Sequence, residues 1–273
     1  VFGERMVDMV KRLDGKPIVV EQEKGKIIEA ERIEEALKES SAKAIAIVHA
    51  ETSTGVLQPL EKIGKIAREY DVLLIVDAVS SLGGTPVKVD EWGIDICYSG
   101  TQKCLGCPPG LAPITVSDRA WSVIENRKKP VMSLYFDLTL LRKYWGEEKR
   151  YHHTTPVSLV FSLYEALRMI EEEGLEARFR RHKVAGEAMR RAVETLNLEL
   201  FAQKGYETPM LTSIKVPRDV DDITFRRSLL TKYNIEISGG LGSLKGKIWR
   251  IGHMGLGAEP SSILTTVMAV GKT

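Results

Sequence analysis

Val72-Leu73-Leu74-Ile75-Val76-Asp77 is an apolar run closed by a carboxylate. It follows a helix-like stretch, Pro59 to Tyr70, whose proline suits a first helical turn. A short, almost wholly apolar segment between a helix and a polar turn reads as a strand buried in a parallel sheet. Ala44 to His49, upstream of that helix, has the same look and predicts a strand buried on both faces. Ile94 to Tyr98 repeats the pattern downstream, beyond a turn marked by Gly83-Gly84 and Pro86. Alternating apolar strands and helices are the signature of an α/β domain with a mostly parallel sheet. In such sheets ligands sit beyond the carboxyl ends of the strands. Chemically capable stretches stand at those ends: Glu51-Thr52, Asp77, and the loop Tyr98-Ser99-Gly100-Thr101-Gln102-Lys103.

The flanking sequence extends the pattern. Phe2 to Leu13 predicts a helix stopped at Gly15, and Pro17 to Val20 a short strand. Ala30 to Lys38 predicts a charged amphipathic helix with Ile33, Ala36 and Leu37 on one face, and Leu111 to Val116 a further strand. After Asp118 the character changes. Ala120 to Lys128 reads as helix and Pro130 to Arg150 as an irregular, aromatic-rich stretch. Two long helices, Pro156 to Glu173 and from Gly174 to about Leu196, are punctuated by that glycine. Strands at Leu198–Phe201, Leu211–Val216, Ile235–Ile237 and Ile248–Ile251, with a helix over Asp221–Tyr233, then predict a smaller α+β domain. The expected division is a large domain over residues 1–173 and a small one over 174–273, hinged near Gly174. No internal repeat and no low-complexity segment is present.

A chain of 273 residues, 43% hydrophobic, supports one large or two modest domains with a substantial core. The net charge of +2 is too small to point to nucleic acid or an anionic membrane as partner. No apolar run reaches transmembrane length and no secretory signal is visible. Three cysteines give no disulfide framework, so a cytoplasmic location is the expectation. The chain begins with Val1 and enters a helix pattern almost at once, which reads as a processed or incomplete chain.

An ordinary lysine is protonated, but one desolvated beside a carbonyl can attack it as a free amine. Taken alone, Lys103 reads as a surface lysine at a strand end, and Asp77 as a turn or capping aspartate. Together they meet the needs of an aldehyde cofactor with a pyridine ring: a lysine for a Schiff base and a carboxylate against the ring nitrogen. Thr52 and Gln102 can donate to a ring oxygen; Ser53, Ser99 and Thr101 instead suit loop backbone. Cys104 and Cys107 form a C-x-x-C with no second pair, which reads as structural. His152-His153 reads as core or subunit interface, because adjacent histidines seldom face one metal ion. The basic run Arg178-Phe179-Arg180-Arg181-His182-Lys183 reads as a solvated helix face.

These residues, in order, carry a resemblance. Glu51-Thr52-Ser53-Thr54-Gly55-Val56-Leu57-Gln58-Pro59, Val76-Asp77-Ala78-Val79-Ser80-Ser81-Leu82-Gly83-Gly84-Thr85-Pro86 and Gln102-Lys103 are joined by Pro108-Pro109-Gly110 and Tyr151-His152-His153-Thr154. Ile237-Ser238-Gly239-Gly240-Leu241-Gly242 and Trp249-Arg250-Ile251-Gly252 follow. The chain resembles the serine–pyruvate/alanine–glyoxylate aminotransferase family, class-V aminotransferases of the fold type I group that use pyridoxal 5′-phosphate. The resemblance implies that Lys103 forms the internal aldimine and moves a proton, and that Asp77 pairs with the pyridine nitrogen. It implies that Val79 packs on the ring and that Thr52 and Gln102 lie by the ring hydroxyl. Tyr151 and Thr154 would reach the phosphate of the neighbouring subunit, which implies a homodimer with shared sites. Arg250 would clamp the substrate carboxylate. The implied reaction moves an amino group from serine or alanine to pyruvate or glyoxylate. A related lyase or cysteine desulfurase, or a non-catalytic protein that keeps the fold, is the alternative. The family's glycine/serine phosphate-binding turn and ring-stacking aromatic, which come before the segment starting here, have no counterpart in these residues.

Overall fold

The computed structural model describes residues 1–273. Its amino-terminal half runs α1 (Phe2–Arg12), α2 (Ala30–Lys38), β1 (Ala44–Val48), the short hairpin β2 (Ala50–Glu51) and β3 (Val56–Leu57), α3 (Glu61–Glu69), β4 (Leu73–Asp77), β5 (Ile96–Tyr98), β6 (Ile114–Val116) and α4 (Asp118–Glu125). The sheet order is β1-β4-β5-β6. β1, β4 and β5 are parallel, with Val48 opposite Asp77 and Asp77 opposite Tyr98; β6 returns antiparallel. Burial of apolar side chains drives this layer. Ile33 and Leu37 from α2, and Ile63, Ile66 and Ala67 from α3, close on Ile45, Leu74 and Val76 of the sheet.

Two details hold the layer in register. Asp95, 2% exposed, accepts the Leu74 N–H at 2.9 Å, the Ser117 hydroxyl at 2.9 Å and an Arg119 N–H at 3.2 Å. A buried carboxylate so supplied with donors ties the starts of β4, β5 and α4 together. Gly64 lets α3 approach the segment between β4 and β5. A Cβ there would stand 1.7 Å from the Trp92 carbonyl oxygen.

The second half contains α5 (Leu138–Trp145), α6 (Val157–Glu173), α7 (Leu175–Thr195), β7 (Leu211–Lys215), α8 (Asp222–Tyr233), β8 (Ser238–Gly239), β9 (Ile248–Gly252) and α9 (Pro260–Lys272). Its antiparallel sheet has the order β7-β9-β8. A separate core forms here: Ala185, Met189 and Val193 of α7 and Ile263, Ala269 and Val270 of α9 meet Ile214, Trp249 and Ile251. Trp249 stacks on Phe225 at 4.0 Å and donates its indole N–H to Asp222 at 3.1 Å.

Several sequence expectations need correction. β1 is the sheet edge, and Ala44 and Ala46 stay exposed while Ile45 and Val48 are buried, so it is not covered on both faces. Pro17–Val20 joins no ladder, and Ile18 and Val19 face solvent. Leu198–Phe201 contributes a single bridge, Leu200 to Ile214, and pairing near Ile235–Ile237 begins only at Ser238. An apolar run becomes a strand only when a neighbour offers its backbone groups. The stretch Pro130–Arg150 is not wholly irregular: Asp137 caps α5 by accepting the Thr139 N–H at 2.9 Å. The basic run of α7 is a solvated face only in part: Arg180 and Lys183 are exposed, but Arg178 and His182 are buried.

Replacing Gly64 by Ala adds a methyl where the Trp92 carbonyl stands. We expect a loss of about 1–3 kcal/mol in denaturant unfolding despite the better helix propensity of alanine. An unchanged midpoint would show that α3 and the Trp92 loop do not pack so closely. Buried His49 and His253 give a second expectation. Burial lowers their pKa values to about 4 and about 3, with Arg190 and His182 adding to the effect on His253. The unfolded chain then binds protons below about pH 6.5 that the folded chain refuses. Stability should therefore be full above pH 6.5 and decline as pH falls toward 4, by up to about 1.4 kcal/mol per pH unit for each histidine. Unfolding midpoints measured across that window check it, and a flat profile contradicts it.

Candidate active site

The carboxyl ends of β1, β4 and β5 are laced together by backbone. The His49 N–H donates to the Asp77 carbonyl at 2.9 Å, and the Ala78 N–H to the Tyr98 carbonyl at 2.8 Å. The loops beyond continue the lacing, with Ser99 Oγ–H on the Ala78 carbonyl at 3.1 Å and the Cys104 thiol against the Ser80 carbonyl at 3.3 Å. The loop holding Lys103 is therefore fixed beside the turn that follows Asp77. Within it, the Thr101 hydroxyl donates to the Pro108 carbonyl at 2.7 Å, and the Gly106 N–H to the Lys103 carbonyl at 3.0 Å.

Asp77 is held from two sides. Its Oδ1 accepts the Val79 N–H at 2.9 Å, and its Oδ2 accepts the Tyr98 phenol at 3.1 Å. The turn contact expected of a strand-end aspartate is made, and the carboxylate stands at the end of β4. Burial raises its pKa and Glu51 adds to the rise, against the pull of those two donors and of Arg5. Burial and the neighbouring Asp77 likewise push the Tyr98 phenol up, so it stays a donor.

Arg250, on β9, reaches the same region from the second half of the chain. Its Nε–H donates to the Gly239 carbonyl at 2.8 Å and its Nη1 to the Thr52 carbonyl at 3.1 Å. Burial lowers its pKa, while the charge of Glu51 acts the other way. Glu51 therefore acts on both Asp77 and Arg250. Its own oxygens take the Phe2 N–H at 3.0 Å and the Ser53 N–H at 3.0 Å.

None of Asp77, Lys103 and Arg250 has an ion-pair partner in the protein, although ion pairs are common elsewhere on its surface. A half-buried carboxylate supplied only by neutral donors, on a turn bonded to the loop that carries a half-buried lysine, suits a protonated pyridine nitrogen and an aldehyde carbon. The donor set therefore fits pyridoxal 5′-phosphate at its ring nitrogen and its carbonyl.

Of the other expected residues, Thr52 is buried and gives Arg250 its carbonyl; Val79 is half-buried beside Asp77. The Gln102 side chain is exposed and makes no hydrogen bond within the chain. Tyr151 and Thr154 face solvent, their hydroxyls 3.2 Å apart, and no hydrogen bond joins them to Asp77, Lys103 or Arg250. Ser99 and Thr101 do serve loop backbone as expected. Cys104 is fully buried and its thiol is pushed up to about 12 by burial, which removes it as a nucleophile. Tyr98, which donates to Asp77, and Glu51, which takes the Phe2 and Ser53 amides, are neighbours to which the sequence reading gave no role. Tyr98 stood in the quoted loop, but its pairing with Asp77 depends on the β4–β5 register, which no single-sequence pattern specifies.

The sequence model described as Aminotransferase class-V matches residues 6–251. The chain is 44% identical over 270 residues to an uncharacterised aminotransferase of Methanocaldococcus jannaschii, covering 98% of this chain and 70% of that one. It is 39% identical over 281 residues to the (S)-ureidoglycine–glyoxylate transaminase of Bacillus subtilis, covering 96% of this chain and 68% of the relative. The crystal structure of an alanine–glyoxylate aminotransferase from Nostoc superposes with a TM-score of 0.97 at 42% identity, over 100% of this chain and 72% of that one. The parallel sheet, the strand-end carboxylate and lysine and these matches agree: the chain belongs to the class-V aminotransferases, a family of pyridoxal 5′-phosphate-dependent transaminases.

Proposed function

We propose that this chain transfers an amino group from a small amino acid, serine or alanine, to a small 2-oxo acid, pyruvate or glyoxylate. The observation that carries the reading is the trio of charged side chains without ion partners at one end of the sheet: Asp77, Lys103 and Arg250. Glyoxylate in the names of similar transaminases supports the small acceptor.

When bound, pyridoxal 5′-phosphate supplies the aldehyde that accepts and returns the amino group and the ring that spreads the electron pair left at the substrate carbon. The protein's share is placement and proton transfer. Asp77 would hold the ring nitrogen protonated; its two donors fix the carboxylate, so it needs no reorganisation. Val79 would pack on the ring, and Thr52 and Gln102 would lie by its hydroxyl. The Lys103 amine would take the proton from the substrate carbon and return it at the cofactor carbon. Arg250 would clamp the substrate carboxylate. Its Nε and Nη1 contacts to the Gly239 and Thr52 carbonyls lock the guanidinium plane and leave Nη2 to donate to substrate.

Tyr151 and Thr154 would serve the phosphate of a second subunit. Their exposure, with Tyr135, Phe136, Trp145, Phe161 and Tyr164 also exposed, supports a homodimer that covers this apolar surface. A division into units 1–173 and 174–273 is supported by the two separate cores and by Gly174 at φ +80° between α6 and α7. No helix is long and apolar enough to cross a membrane; the cytoplasm remains the compartment we propose.

Absorbance tests the reading directly. Purified protein given pyridoxal 5′-phosphate should develop a visible band that serine or alanine discharges and glyoxylate restores. Lys103→Ala should lower turnover by about 100- to 10,000-fold and abolish the donor-dependent cycle of the band. A band and turnover identical in the two proteins would sink the assignment. Arg250→Lys should raise KM for the amino acid about 10- to 100-fold with a smaller change in kcat, because an ammonium cannot hold both carbonyls and still donate to the substrate carboxylate. Amines without a carboxylate should not feel the change; equal losses for both substrate types would place Arg250 elsewhere.

A further inference from the structure

α7 turns three residues of its basic run inward: Arg178, Arg181 and His182 lie on one helix face at i, i+3 and i+4. The Arg178 side chain is spread over three partners. Its Nε–H donates to the Gly83 carbonyl at 3.1 Å, its Nη2 to the Cys104 carbonyl at 2.6 Å and its Nη1 to Glu173 at 2.7 Å. Gly83 belongs to the turn after Asp77, and Cys104 directly follows Lys103. One guanidinium thus bridges the two loops that carry the carboxylate and the amine.

The rest of the face holds Gly255, five residues beyond Arg250. Arg181 Nη1 donates to the Gly255 carbonyl at 2.7 Å, and its Nε to Glu173 at 2.6 Å. His182 places Nδ1 2.9 Å from the Arg178 carbonyl, so Nδ1 carries the proton and Nε2 accepts the Gly255 N–H at 3.0 Å. Gly255 in turn abuts the lysine loop: a Cβ there would lie 3.6 Å from the Gly106 Cα and 3.8 Å from the Lys103 carbonyl oxygen.

We infer that Arg178 is a positioning residue for Lys103, acting through the Cys104 carbonyl, with the α7 face keeping the lysine loop in step with the strand that bears Arg250. The inference rests on the role given to Lys103 above. Lys103 has no side-chain partner of its own, so its amine is located by its backbone. Cys104 is fully buried, and without Arg178 its carbonyl loses its charged donor in a place water does not reach. The loop then moves to satisfy it, and a displacement of about 1 Å at a reacting group costs on the order of 100-fold in rate.

Three variants separate positioning from plain stability. Arg178→Met keeps the length and removes every donor. Arg178→Lys keeps a charge for Glu173 but cannot reach both carbonyls. Glu173→Gln leaves both carbonyl contacts in place. Hydrogen exchange followed by mass spectrometry reads the 99–107 peptide, whose Ser99, Thr101, Gly106 and Cys107 amides are bonded in the parent. Arg178→Met should speed exchange there about tenfold or more while the β4 peptide is unchanged. With cofactor it should lower kcat about 10- to 100-fold and leave KM for the amino acid within about threefold. Arg178→Lys should show the same pattern, smaller, and decides the matter if the Met variant does not fold. Glu173→Gln should match the parent in both readouts. Faster exchange spread over the whole chain, confined to the α6–α7 junction, or equal in the Glu173→Gln variant would overturn the inference. Exchange needs no cofactor, so failure of the parent chain to form the band would count against the proposed function and leave this result independent.

Discussion

The pairing of Asp77 with Tyr98 across β4 and β5 is the constraint from which the site follows. Parallel register sets both side chains at one sheet end, where the Tyr98 phenol reaches the Asp77 carboxylate. The same register lets the Tyr98 carbonyl take the Ala78 N–H, which starts the turn that Ser99 and Cys104 then grip. Moving β5 by one residue would turn Tyr98 to the other face and detach the lysine loop from that turn. Asp95 at the opposite end of these strands guards against such a slip, because its carboxylate binds the Leu74 amide and the Ser117 hydroxyl at once.

Charge placement separates structural from chemical groups. The surface of α1, α2 and α3 carries pairs such as Arg12–Asp8, Lys38–Glu34 and Lys65–Glu61, exposed and of small energetic weight. Asp77 and Arg250 are more buried than any of these and yet lack ion partners. Each is held instead by neutral groups: amide and phenol for the acid, carbonyls for the guanidinium. Such groups orient a charge without neutralising it, which leaves it available to a ligand of opposite sign.

The two cores meet through polar contacts at this site. Ser213 Oγ–H donates to the Thr54 carbonyl at 2.6 Å, Arg250 holds the Thr52 carbonyl, and Arg178 holds Gly83 and Cys104. Backbone carbonyls are the common target. Their positions depend on the loop path alone, so side chains from β7, β9 and α7 can fix loops of the other layer without touching the Asp77 carboxylate or the Lys103 amine.

Periodicity and composition made the main elements legible: α2, α3, α6 and α7, and the parallel strands around Val72–Asp77, follow from apolar spacing. Pro17–Val20, Leu198–Phe201 and Ile235–Ile237 misled, because a strand requires a partner's backbone and a local pattern carries no partner. Among the site residues, Asp77 and Lys103 were readable as chemical types at strand ends, and Arg250 only through the family resemblance. The roles of Tyr98 and Arg178 were not readable, since their meaning lies in contacts across 21 to 95 positions of chain. The sequence by itself determined the α/β class, the strand-end carboxylate and lysine, and the family, because these reside in local order along the chain. Which neutral groups hold each charge, and which basic residues turn inward, was decided only by the tertiary structure, because burial and register are properties of segments brought together.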